Sequence, residues 1–139
     1  MSRITVLLAA LALSVPAFAQ SWPTKPVRVV VPFAAGGSLD FVTRVLSERL
    51  QQELGQPVVV ENRTGANGNI GAEYVARQPA DGYVLLASAD ALTSSAHLYK
   101  LGYNPMKDLM PVVQFTRQPL VLAVHPSLGV SSVAELIAA

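Results

Sequence analysis

The residues with the clearest chemical meaning are Val31-Pro32-Phe33-Ala34-Ala35-Gly36-Gly37-Ser38-Leu39-Asp40, a side-chain-poor corner between an apolar run and an amphipathic one. Without Cβ atoms, Gly36 and Gly37 can take positive φ and admit a ligand close to the main chain, and Ser38 is a good helix N-cap. A helix start offers free N–H groups and partial positive charge, so a carboxylate or phosphate fits there. Asp40 would repel such a ligand and is expected to support the loop and the first helical turn. A plain tight strand-to-helix connection would use the same residue types. Ser88, at the exit of a later apolar run, could donate a hydrogen bond to the same ligand or remain a solvated strand-end serine.

Gly65-Ala66-Asn67-Gly68-Asn69-Ile70-Gly71 raises a dinucleotide fingerprint, with Asp90 about 20 residues on. The glycine spacing does not fit that fingerprint, and a glycine-rich loop beside a ligand mouth is the better reading. His97 and His125 have no second histidine or carboxylate at ligand spacing, so no metal site is expected. No serine lies in a Gly-x-Ser-x-Gly elbow, and no Ser, His and Asp set can be assembled, so no catalytic residue is assigned. No cofactor is expected.

These loops need elements to hold them. Val27 to Val31 predicts a first strand, and Leu39, Val42, Val45, Leu46, Leu50 and Leu54 recur at helical spacing. Gly55-Gln56-Pro57 ends that helix. Val58 to Val60 predicts a second strand, Ala72 to Arg77 a helix, and Tyr83 to Ala87 a third strand after the turn Pro79-Ala80-Asp81-Gly82. Thr93 to Tyr99 suits a short helix. Val112 to Thr116 and Leu120 to Val124 resemble two more strands. Ser131 or Ser132 is placed to cap a last helix from Val133 to Ile137, with Glu135 completing a capping box if Ser132 is the cap. Alternating strands and helices give an α/β class with a mostly parallel, doubly wound sheet, whose ligands sit beyond the carboxyl ends of the strands.

Arg3 precedes an apolar stretch, Ile4 to Val15, and Ala17-Phe18-Ala19 offers a small-x-small cleavage site. Residues 1–19 therefore read as a secretory signal peptide, and the mature chain is expected to start at Gln20. The chain has no cysteine, which excludes disulfides, thiolate catalysis and thiolate metal sites. About 120 residues remain, enough for one ordinary domain. Ten Lys and Arg against nine Asp and Glu are scattered, with no basic stripe for nucleic acid or an anionic membrane. The helix begun at Val133 lacks a closing signal, which suggests a truncated sequence.

Several blocks carry a family resemblance. Trp22-Pro23-Thr24-Lys25-Pro26-Val27-Arg28 leads into the corner, and Gly55-Gln56-Pro57-Val58-Val59-Val60-Glu61-Asn62-Arg63 into the glycine-rich loop. Asp81-Gly82-Tyr83-Val84-Leu85-Leu86, Tyr103-Asn104-Pro105-Met106-Lys107-Asp108 and Glu135-Leu136-Ile137-Ala138 follow. The chain resembles the exported solute-binding receptors of tripartite tricarboxylate transporters, the Bug-type periplasmic binding proteins. Ala34-Ala35 departs from the prolines common there, and Ser94-Ser95-Ala96-His97 replaces a variable stretch.

The resemblance implies a two-lobed Venus-flytrap fold in which a small organic acid is clamped between lobes and handed to a membrane permease. Residues 20–119 would be the first part of lobe one, and 120–139 a crossover strand and helix leading toward lobe two. Ligand contacts would come from Phe33, Ala34, Ala35, Gly36, Gly37 and Ser38, from Thr64, Gly65, Ala66 and Asn67, and from Ser88. A periplasmic monomer without enzymatic activity is expected. The alternatives are a secreted α/β hydrolase or transferase, or a non-functional truncated gene product.

Overall fold

The computed structural model describes residues 22–117, 119 and 121–139. The expected signal peptide, its cleavage after Ala19, and Leu120 lie outside the described residues. In chain order the elements are β1 (Val27–Val31), α1 (Ser38–Leu54), β2 (Val58–Asn62), α2 (Asn69–Ala76), β3 (Val84–Leu86), α3 (Ala91–Leu98) and α4 (Val133–Ala138). Short 3-10 turns stand at Ala66–Gly68 and Pro126–Leu128. β1 is central and parallel to both neighbours, with Val29 opposite Val60 of β2 and Leu85 of β3. Among the described residues no helix is long and apolar enough to cross a membrane.

The crossover from β1 to β2 runs one way and that from β2 to β3 returns past β1, so right-handed connections put α1 and α2 on opposite faces. The side chains follow that division. Val29 and Val31 cluster with Leu39 of α1 and with Val58, Val60 and Leu85, whereas Arg28, pointing the other way, donates from Nη1 to the Tyr74 hydroxyl of α2 at 2.9 Å. Val27, Val30 and Val31 are at most 1% exposed, and each such burial contributes about 1.5–3 kcal/mol. The β-branched run thus makes the strand buried on both faces that a parallel sheet requires.

α1 corrects two expectations. Gly37, with φ −73° and ψ 167°, is its N-cap, and Ser38 is the first helical residue, with no side-chain cap bond. Asp40 supplies the compensation, since its carboxylate reaches back to the Gly36 amide. The deepest residues are Asp40, Thr43 and Ser47, while Val45 is 50% exposed. Small side chains let the helix approach the sheet, and both hydroxyls are satisfied by the carbonyl one turn back: Thr43 to Leu39 at 2.6 Å, Ser47 to Thr43 at 2.7 Å.

α2 starts at Asn69 rather than Ala72, and α3 at Ala91 rather than Thr93. Neither residues 112–116 nor the described residues of 120–124 form a strand. Val112, Val113, Val121 and Leu122 are 67–85% exposed. A strand needs a partner edge for its N–H and C=O groups, and this segment pairs with none among the described residues; Phe115 alone of it packs on the core cluster. In α4 Ser132 caps the Glu135 amide at 3.2 Å as expected, but Glu135 reaches back to the Ser131 amide at 2.7 Å, one residue earlier than a standard box.

α2 lies tight against the β1–α1 corner through Gly71. A Cβ there would meet the Arg63 carbonyl oxygen at 2.8 Å and Pro32 Cβ at 2.9 Å. Alanine would gain about 1 kcal/mol of helix propensity, but the clash falls partly on backbone and outweighs it. Gly71→Ala is expected to lose about 1–3 kcal/mol in urea unfolding, with an unchanged m-value.

Candidate ligand-binding site

Three loops gather at the carboxyl ends of β1, β2 and β3, and a buried carboxylate ties two of them. Asp40 is 3% exposed. Its Oδ2 accepts from the Gly36 amide and from Arg44 Nε, both at 2.9 Å, and its Oδ1 accepts from Asn62 Nδ2 at 2.9 Å. Asn62 Nδ2 also donates to the Phe33 carbonyl at 3.1 Å, and Asn62 Oδ1 accepts from Arg44 Nη2 at 3.0 Å. The node therefore fixes the β1–α1 corner to the end of β2. The Arg44 guanidinium, followed by the Gly36 amide and the Asn62 amide, holds the Asp40 carboxyl well below the usual carboxylate range.

Within the corner, Ala34, Ala35, Gly36, Gly37 and Ser38 are exposed and Phe33 is half-buried. Gly36 has φ +81°, as anticipated, but Gly37 does not. Space favours glycine at 37, because a Cβ would lie a tight 3.3 Å from the Ala34 carbonyl oxygen. The Gly36 amide is spent on Asp40 and the Gly37 amide on Ala34 O at 3.3 Å, so these two glycines supply the loop's shape while their amides turn inward.

The second loop is held in a left-handed conformation. Gly65, Ala66, Asn67 and Gly68 have φ of 125°, 47°, 55° and 89°. Such backbone costs on the order of 1–3 kcal/mol for a non-glycine residue, and persists only where surroundings impose it. Here they do: Asn69 Nδ2 donates to Ala66 O at 2.8 Å, and Gly68 N to Gly65 O at 3.0 Å. A Cβ on Gly68 would stand 3.3 Å from Pro32 Cβ and 3.4 Å from Phe33 Cζ, so this glycine lets the two loops touch.

A cleft with about 180 Å³ of empty space, too narrow for a water-sized sphere, lies where the loops meet. Its lining joins Phe33, Asn67 and Ser88 with Pro32, Gly68, Asn69, Ala91, Leu92 and Ser95. Ala34 to Ser38, Thr64, Gly65 and Ala66 are outside that lining, in the same two loops. Among the described residues the Ser88 hydroxyl makes only a long 3.4 Å contact to Ala89 O. A wider and more open groove, with about 800 Å³ of empty space by the same measure, runs between α1 and the β2 edge, past Arg44 and Gln51, away from the loops.

Sequence reasoning missed Asn62, Arg44 and Asn69. Asn62, a polar residue closing an apolar strand, was the available signal. Arg44 stands at i+4 from Asp40, a spacing that pairs charges on a helix. Nothing local marks Asn69. His125 accepts from the Ser127 amide at 3.3 Å and so caps a turn.

Because the folded state holds the Asp40 proton more weakly than the unfolded chain, the unfolded state takes up protons first as pH falls. The stabilisation is present above the unfolded carboxylate value of about 4 and is lost progressively below it. Glu135, lowered by the Ser131 and Ser132 groups, adds in the same direction. The melting temperature is expected to drop between about pH 4 and pH 3, and Asp40→Asn to lower it at pH 7 while making that acid drop shallower.

Comparison with known proteins adds to this geometry. A family profile described as "Tripartite tricarboxylate transporter family receptor" matches residues 42–139. Protein BugT of Bordetella pertussis is 41% identical over 138 residues, which cover 97% of this chain and 42% of that protein. The structure of R. palustris Rpa4515 with adipate superposes with a TM-score of 0.69 at 43% identity, covering 84% of this chain and 40% of the other. MatC of Rhodopseudomonas palustris with bound malate gives 0.58 at 39% identity, covering 63% and 30%. The chain thus spans about 42% of the length of the relative it matches. The α/β sheet is that of these binding proteins, and the relatives found are non-enzymatic solute-binding proteins rather than hydrolases or transferases. This chain belongs to the tripartite tricarboxylate transporter receptor family.

Proposed function

We propose that this chain forms one wall of a small-carboxylate site in an exported solute receptor. The observation that carries the reading is the convergence of Phe33, Asn67 and Ser88 on one cleft at the carboxyl ends of three parallel strands. The bound acid meets the backbone of residues 33–38 and 64–67 and the Ser88 hydroxyl, with water filling remaining contacts. Adipate and malate, seen in two related structures, support a small carboxylate, with an aliphatic dicarboxylate as the first class to try.

The remaining assignments follow from that reading. Residues 1–19 direct export and are removed after Ala19, which places the receptor in the periplasm. Residues 20–119 belong to lobe one, and 120–139 lead toward lobe two, which closes over the acid. The loaded receptor, a monomer, delivers it to the membrane permease of a tripartite tricarboxylate transporter.

Magnitudes say what one wall can do. Two or three charge-assisted hydrogen bonds contribute roughly 1.5–3 kcal/mol each and a helix terminus about 1. Immobilising the ligand costs about 4 or more, against about 8 needed for micromolar affinity. The 139-residue chain is therefore expected to bind malate or adipate more weakly than micromolar.

An amide-resolved NMR titration of this chain with malate and with adipate tests the proposal. Shifts are expected to cluster at residues 33–35, 64–68 and 88, and to shrink at least twofold in Asn67→Ala and Ser88→Ala. Shifts scattered over α1, or a micromolar binding curve, would overturn the one-wall reading.

A further inference from the structure

The left-handed loop is held by a contact from far along the chain. Asn69 is 8% exposed, and its two polar atoms are both engaged: Nδ2 donates to Ala66 O at 2.8 Å, and Oδ1 accepts from the Tyr103 hydroxyl at 3.2 Å. The orientation is unique, because a carbonyl oxygen facing Ala66 O would have no hydrogen to accept. The phenol must then be the donor. Burial, and then the Glu73 carboxylate, push the Tyr103 hydroxyl up, so it keeps its proton at neutral pH.

Gly102 packs closely beside this contact. A Cβ there would stand 2.5 Å from Glu73 Oε1 and 3.4 Å from Arg77 Nη2, the ends of two flexible side chains, so glycine lets the segment lie on α2 without displacing the Glu73–Arg77 pair. The contact links residues 34 apart, and it ends on the carbonyl of Ala66, a non-glycine residue at φ 47°.

We propose that Tyr103 is a positioning residue for the ligand loop: its hydroxyl orients Asn69, and Asn69 holds Ala66 and Asn67 in the shape that meets the carboxylate. This rests on the reading of that loop as part of the ligand wall. Tyr103 touches no ligand itself. It acts by keeping a strained backbone populated, so its loss lowers affinity by the fraction of time the loop departs from that shape.

Tyr103→Phe tests this, since the ring and its packing stay and one hydroxyl goes. In the 139-residue chain, amide hydrogen exchange at residues 66–70 is expected to rise about two- to tenfold, the range one hydrogen bond spans, while α1 amides keep their rates. The apparent malate affinity, read from the same spectra, should weaken by a similar factor with an unchanged melting temperature. Asn69→Ala should give the same loss, and the double variant no more than either alone.

Unchanged exchange at 66–70 in Tyr103→Phe would overturn the relay, as would faster exchange across α1 as well, the mark of a general loss of stability. Faster exchange with unchanged malate affinity would overturn the positioning role. A wild-type loop that ignores malate would instead strike the ligand-wall reading, and the affinity half of this proposal with it.

Discussion

A single buried charge, the Asp40 carboxylate, fixes the geometry on which everything at the top of the sheet depends. Taking a carboxylate out of water is costly unless both of its oxygens find donors. Here Arg44, Gly36 and Asn62 meet that demand, each from a different element. Satisfying the charge therefore draws the β1–α1 corner, the first turns of α1 and the end of β2 into one arrangement. Because low local dielectric strengthens such bonds and penalises their loss, the node is all-or-none in character.

The consequence for a ligand is indirect. The corner's glycines spend their amides inside the loop, so the anion-binding surface is shaped by Asp40 without being lined by it. Arg44 neutralises the carboxylate at close range, which keeps the adjoining cleft from repelling an acid. The same economy governs the second loop, where Asn69 satisfies one carbonyl and thereby holds a backbone that would otherwise relax. Gly68 and Gly71 then let the two loops share Pro32 and Phe33 as a common wall.

On the face of the sheet that α2 covers, another set of contacts braces it. Arg63 stacks on the Tyr74 ring at 3.6 Å, and both Arg63 and Arg28 pair with Glu61. These half-exposed pairs contribute modestly one by one, yet they lock α2 to β1 and β2. Since α2 begins at Asn69, bracing it also braces the left-handed loop at its start.

How much of this could be read from the chain depends on range. The strand Val27–Val31, the core Val58 to Val60 of the strand that the structure extends to Asn62, the helix ended by Gly55 and the alternation that makes a parallel sheet came from β-branching, helical spacing and capping chemistry, all local properties. So did the idea that residues 33–38, 64–67 and Ser88 lie near one another, which follows from topology. The two late strands were misread because apolar alternation says a segment can pair, while pairing needs an edge elsewhere. Gly37 stands at the cap where Ser38 was expected, and the Asp40 carboxylate, two residues past Ser38, accepts from the loop amide of Gly36 instead. What only the tertiary structure decided is which polar atoms meet: Asn62 with Asp40, and Tyr103 with Asn69. A hydrogen bond is set by positions within a few tenths of an ångström, and no residue type or spacing carries that across 22 or 34 residues.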